Sequence, residues 1–126
     1  MMILTIKRPV IEALLAYAQG SHPREAILLL RGKSTKEQVT IEEVMIPPLA
    51  THGHGFSSFS PGLLPIDFSI VGVAHSHPSG SPTPSTQDLN HTYGKIMIVV
   101  AFPYRDERDI AAYDNRARRL QYQTTE

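Results

Sequence analysis

Two histidines and an aspartate carry the strongest chemical signal in this chain. His75 and His77 stand two residues apart at the end of an apolar run, SIVGVAH at 69–75. On an extended backbone, residues i and i+2 point to one side, so both imidazoles can reach one ion. Asp88 follows eleven residues after His77. The segment between them, PSGSPTPS, is rich in Pro and Gly and can fold back to bring the carboxylate to the two rings. Two nitrogen donors and one oxygen leave a fourth tetrahedral position for water, the layout of a catalytic rather than a structural zinc site. Zinc can bring the pKa of bound water from about 15.7 to about 7. Hydrolysis then needs a carboxylate to take the proton and a donor for the oxyanion. Ser85, three residues before Asp88, can be that donor. STQD at 85–88 also has the form of a helix-capping box, and a capped start would hold both side chains rigidly.

The elements that must position these residues follow from patterning. Residues 2–6 (MILTI) read as a strand. Pro9 suits the first turn of a helix, Val10, Leu14, Leu15 and Ala18 recur at helical spacing, and Gly20 marks a stop. EAILLLR at 25–31 is short and apolar, which favours a buried strand. GKST at 32–35 predicts a turn and Val39–Ile46 the second strand of a hairpin. Residues 50–62 read as a long loop or flap. Ser69–His75 is the central strand, a short helix begins near Ser85 and closes at Gly94, and Ile96–Phe102 is another buried strand. Ile110–Tyr113 and Leu120–Tyr122 finish the sheet, with QTTE expected to fray. The pattern is mixed α/β, with two or three helices on one sheet.

The run H-S-H-P-S-G-S-P-T-P-S-T-Q-D at 75–88 fits H-x-H-P, six residues, then S-x-x-D. In this it resembles the JAMM (MPN-plus) metalloprotease family. The resemblance implies one Zn2+ per chain held by His75, His77 and Asp88 with a catalytic water, and Ser85 supporting the oxyanion. It also implies a catalytic Glu several tens of residues upstream, on the first core strand after the N-terminal helix. Glu25 has that context. Glu12, Glu37, Glu42 and Glu43 fall on the helix, the turn and the second strand, and fit less well. Glu25 also opens the apolar run AILLL, where an unpaired charge is costly. The fold implied is a single MPN domain over 1–126, α/β with a mixed central sheet, cytidine-deaminase-like.

The activity implied is that of an isopeptidase or peptidase. It would cleave after the C-terminal Gly of a ubiquitin-like or sulfur-carrier-like modifier, whose Gly-Gly tail adds as a strand beside the sheet. With 38 residues after Asp88, reading mostly as strands, the chain resembles a prokaryotic, archaeal-type core rather than a eukaryotic deubiquitinase with an added insertion. Three alternatives stand beside this. One is a peptidase trimming sulfur-carrier C-termini; another is a RadC-like protein, since HPSGSPTPS fits that branch; the third is a scaffold without protease activity.

Composition narrows the partners. Of 126 residues 41% are hydrophobic and 19% charged, with twelve basic against twelve acidic side chains. Net neutrality argues against phosphate-driven nucleic-acid binding. The chain has no cysteine, which removes disulfides and thiolate zinc sites. No apolar run approaches the roughly 18 residues of a membrane span and no signal-peptide pattern opens the chain, so a soluble cytoplasmic protein is expected. Homo-oligomerisation is left open. His52 and His54 repeat the two-residue spacing without a carboxylate in register and are read as flap residues. His91 falls near the Asp88 face of its helix but reads as part of a solvated helix face, and Arg116, Arg118 and Arg119 read as a solvated strand edge.

Overall fold

The computed structural model describes residues 2–47, 51–52, 57–58, 69–90 and 93–126. Strand β1 (Ile3–Lys7) leads directly into α1 (Arg8–Ser21), with Pro9 in the first turn. Then come β2 (Ile27–Ser34), β3 (Gln38–Met45) and a small pair, β4 (Thr51–His52) with β5 (Ser57–Ser58). The central β6 (Ile70–His77) is followed by α2 (Thr86–Asn90) and β7 (Ile96–Ala101). The chain ends with β8 (Ile110–Asp114), β9 (Arg119–Leu120) and β10 (Tyr122–Thr125).

Eight strands form one mixed sheet in the order β10-β1-β3-β2-β6-β7-β8-β9. Its two edge strands are β9 and β10, yet only Gln121 separates them in sequence. One residue spans at most about 7 Å between its neighbours' Cα atoms, so the sheet must curl until its edges nearly meet. The concave side wraps α1. Val10, Ile11, Leu14 and Ala18 of the helix share one core with Leu4 and Ile6, Leu28 and Leu30, Val39 and Ile41, Ile98 and Val100, and Ile110 and Ala112. QTTE, expected to fray, is instead largely strand: β10 pairs in parallel with β1, and Gln123 donates to Thr5 Oγ1 at 3.0 Å. Its polar residues gave no alternation signal, and only the curl of the sheet places an unpaired β1 edge beside them. The turn expected at 32–35 also shifts, because β2 runs on through Ser34 with a bulge at Arg31/Gly32.

Every residue of β6 is buried, which accounts for its unbroken apolar run: both faces are covered. Gly72 is needed there, since a Cβ would lie 2.0 Å from the Ile96 carbonyl oxygen of β7. Alternation along β6 puts Ala74 in the core around α1 and Val73 with Leu29 on the opposite, convex face. His75 and His77 share the parity of Val73 and therefore face away from the helix.

Candidate metal centre

The site gathers where β6 ends and β2 begins. Ile27 pairs with His75 in register, so Glu25, two residues before Ile27, arrives beside that histidine. Its Oε1 lies 3.3 Å from His75 Nδ1. The Pro-rich segment after His77 folds back over the convex face: Tyr113 of β8 donates its hydroxyl to the Pro82 carbonyl. Gly80, at φ +85°, turns the chain so that its N–H reaches the His77 carbonyl at 3.0 Å. Only a residue tolerant of the left-handed region makes that turn cheaply.

The segment delivers α2 with a reciprocal cap at its start. Asp88 N–H donates to Ser85 Oγ at 3.0 Å, and Ser85 N–H donates to Asp88 Oδ2 at 2.9 Å. The capping box read from STQD is therefore present, and it fixes the carboxylate. Asp88 Oδ2 lies 2.7 Å from His77 Nε2, and Oδ1 lies 3.4 Å from His75 Nδ1. Glu25, His77 and Asp88 offer ligand atoms within 4.8 Å of one another. The four groups differ in access: the Glu25 side chain is 22% exposed, His75 3% and Asp88 4%.

The donor set fits a divalent cation. His77 Nδ1 lies 3.0 Å from the Ser81 carbonyl, which can only accept, so that nitrogen carries the proton. Nε2 then faces a carboxylate oxygen with a lone pair, unless a second proton or a cation lies between them. Two carboxylates and two neutral imidazoles in a largely buried cluster sum to two negative charges. Leaving these uncompensated would be costly. For zinc distances near 2.0–2.2 Å, two tetrahedral ligand atoms stand about 3.3–3.5 Å apart. The His75–Asp88 separation of 3.4 Å matches, whereas His77 and Asp88 at 2.7 Å are at hydrogen-bond distance and must part by roughly 0.6 Å to share an ion.

Without metal, a proton serves. Burial works to raise the Asp88 pKa, but the His77 hydrogen bond, the nearby His75 and the Ser85 N–H outweigh it and bring it down to about 2. Burial likewise opposes charging of His77, but the bonds to Asp88 and Ser81 prevail and its pKa is raised. Protons therefore compete with a metal up to and beyond the ordinary histidine range. Below the raised His77 pKa, metal affinity is expected to fall by about tenfold per pH unit for each proton displaced. The zinc-induced rise in thermal midpoint should be larger at pH 8 than at pH 5.5. A rise that does not change over that range would contradict His77 as a ligand.

A groove of about 420 Å3 opens on this cluster, lined by Pro23, Glu25, His77, Pro78, Pro84 and Ser85 among others. Ser85 Oγ accepts from Asp88 and keeps its own proton to donate toward that space. Of the other histidines singled out by sequence, His54 and His91 lie outside the described residues, and His52 enters only as backbone of β4. Arg118 pairs with Asp114 at 2.8 Å, and Arg119 lies over the Tyr113 ring; neither lines the groove. Two contributors escaped sequence reasoning. Ser81 acts through its carbonyl, which no residue type advertises. Tyr113 acts through a contact 31 positions from its partner.

A curled mixed sheet around one helix, with two His, one Asp and one Glu gathered at a strand end, defines a metalloprotease-like JAMM domain of the MPN class. A family model of prokaryotic homologues of the JAB domain matches residues 7–119, and the chain belongs to that family. A Haloferax volcanii protein named a probable metalloprotease is 32% identical over 102 residues, 75% of this chain. The chain spans 62% of that relative's length. Among solved structures, one described as a JAMM metalloprotease-like zinc site in the proteasome and signalosome superposes with a TM-score of 0.70 at 26% identity. It covers 99% of this chain and is itself fully covered. A JAB1/MPN domain protein from Archaeoglobus fulgidus gives 0.68 at 26% identity, covering 100% of this chain and 98% of its own. A Desulfitobacterium hafniense protein shares the fold at a TM-score of 0.64 and 18% identity, covering 98% of this chain and 94% of its own. No helix among the described residues is long and apolar enough to cross a membrane.

Proposed function

We propose that this chain is a zinc-dependent isopeptidase or peptidase that hydrolyses the amide after the C-terminal glycine of a ubiquitin-like or sulfur-carrier-like modifier. One observation carries the reading: Glu25, His77 and Ser85 line a single open groove, and the buried Asp88 and His75 stand directly behind them, Asp88 against His77 and Ser85 and His75 against Glu25 and Asp88. His75, His77 and Asp88 would hold the zinc. When bound, zinc acts as a Lewis acid and brings the pKa of a coordinated water to about 7. Glu25, the most exposed of the charged groups, takes the proton of the attacking water and returns it to the leaving amine. Ser85 donates to the oxyanion as the carbonyl becomes tetrahedral. The Ser81 carbonyl holds the His77 ring in the tautomer whose Nε2 is free to ligate. Pro23, Pro78 and Pro84 give the groove stiff walls, which supports a slender, extended tail such as Gly-Gly over a bulky side chain.

The test is a metal count on the purified chain, with cleavage of a ubiquitin-like protein joined through its terminal glycine to lysine or another amine. About one zinc per chain is expected, with turnover abolished by chelation and restored by zinc. The reciprocal Ser85–Asp88 cap and the His77–Asp88 pair also favour a second reading, because they hold the segment in place without any metal. A chain that takes up no zinc and hydrolyses nothing would be such a non-enzymatic interaction module.

A further inference from the structure

We infer that Ser76, between the two histidines, is the positioning residue for Glu25; the inference rests on Glu25 acting as the base. Ser76 is 3% exposed. By alternation it faces away from the groove, on the α1 side with Ala74, so it touches neither substrate nor metal. It holds both backbone groups of Ala26, the residue that follows Glu25. Ala26 N–H donates to Ser76 Oγ at 2.7 Å, and Ser76 N–H donates to the Ala26 carbonyl at 2.9 Å.

The side-chain bond lies where β2 has not yet begun. Regular pairing with β6 starts at Ile27↔His75, and the chain before it comes from the turn after α1. Glu25 thus sits on a lead-in that β2 alone does not hold, one peptide from the two-bond clamp. The clamp sets how far the Glu25 carboxylate stands from His75, now 3.3 Å. General-base catalysis needs the carboxylate within hydrogen-bond reach of the proton it takes, and small misplacements can be costly in rate. Ser76 therefore ties the base to the strand that carries the two proposed ligands, so that base and ligands move as one body.

The experiment compares wild type, Ser76→Ala and Ser76→Thr in the zinc-loaded protein, reading metal content, kcat, KM and hydrogen exchange at the Ala26 amide. Ser76→Ala is expected to keep one zinc and a KM within about twofold, while kcat falls by about 10–100-fold. Its Ala26 amide should exchange about 2–13-fold faster, the loss of one bond of ordinary strength. Ser76→Thr, which keeps the oxygen on a strand-favouring side chain, is expected to recover both. A Ser76→Ala protein with unchanged kcat and unchanged Ala26 protection overturns the inference. If Ser76→Ala does not fold, wild-type exchange decides: an Ala26 amide as fast as an unprotected one means there is no clamp. A wild type that binds zinc but cleaves no probe overturns the hydrolase reading instead, and with it the catalytic purpose of the clamp. The exchange result then still reports whether Ser76 holds Ala26.

Discussion

Glu25→Gln is expected to keep its zinc and lose about 10²–10⁴-fold in kcat, the usual contribution of a positioned general base. The substitution preserves shape and one acceptor oxygen but removes the group that can accept a proton. Binding should survive, because the proposed ligands are His75, His77 and Asp88, and the His77–Asp88 and Ser85–Asp88 contacts do not involve Glu25. Glu25 also lies 3.3 Å from His75, so a small change in zinc affinity is expected through that contact. The measurement is kcat and metal content on the same sample. Full turnover in Glu25→Gln would remove it as the base. Loss of zinc together with turnover would make it a ligand, a role its place in the Glu25, His77, Asp88 cluster permits.

His77→Ala should lose both metal and turnover. His77 Nε2 faces Asp88 Oδ2 at 2.7 Å while Nδ1 is anchored on Ser81, and removing the ring strips away a ligand and the partner of a buried carboxylate at once. Asp88 would then be left charged at a site where it is only 4% exposed, and breaking such a pair costs about 3–5 kcal/mol. The thermal midpoint of the zinc-free variant should fall for that reason, or the Asp88 pKa should climb until the carboxyl is neutral. His77→Ala that retains stoichiometric zinc would contradict the site as drawn. The two variants together separate base from ligand: Glu25→Gln with metal and no turnover, His77→Ala with neither.

Much of the architecture was legible in the chain because the signals were local. Pro9 with Val10, Leu14 and Ala18 specifies α1 through helical period, and all but Pro9 are buried as that period requires. Unbroken apolar runs specified β6 and β7, since strands covered on both faces have no polar side to alternate. The spacing of His75 and His77 follows directly from strand period, and the cap of α2 from four consecutive residues. QTTE went the other way: nothing in four polar residues announces a strand, and β10 exists because the curled sheet presents β1 to it.

Local sequence specified the types of the proposed ligands, their spacing, and the helix start that orients Asp88, because each depends on residues within one turn or one strand. It did not determine that Glu25 stands beside His75. That follows from the Ile27↔His75 register and the Ser76 bonds to Ala26, between positions 48 and 50 apart. Nor did it determine the groove, which exists because Tyr113 holds the Pro82 segment over the convex face. Long-range pairing is set by which surfaces can be buried together, and only the folded chain decides that.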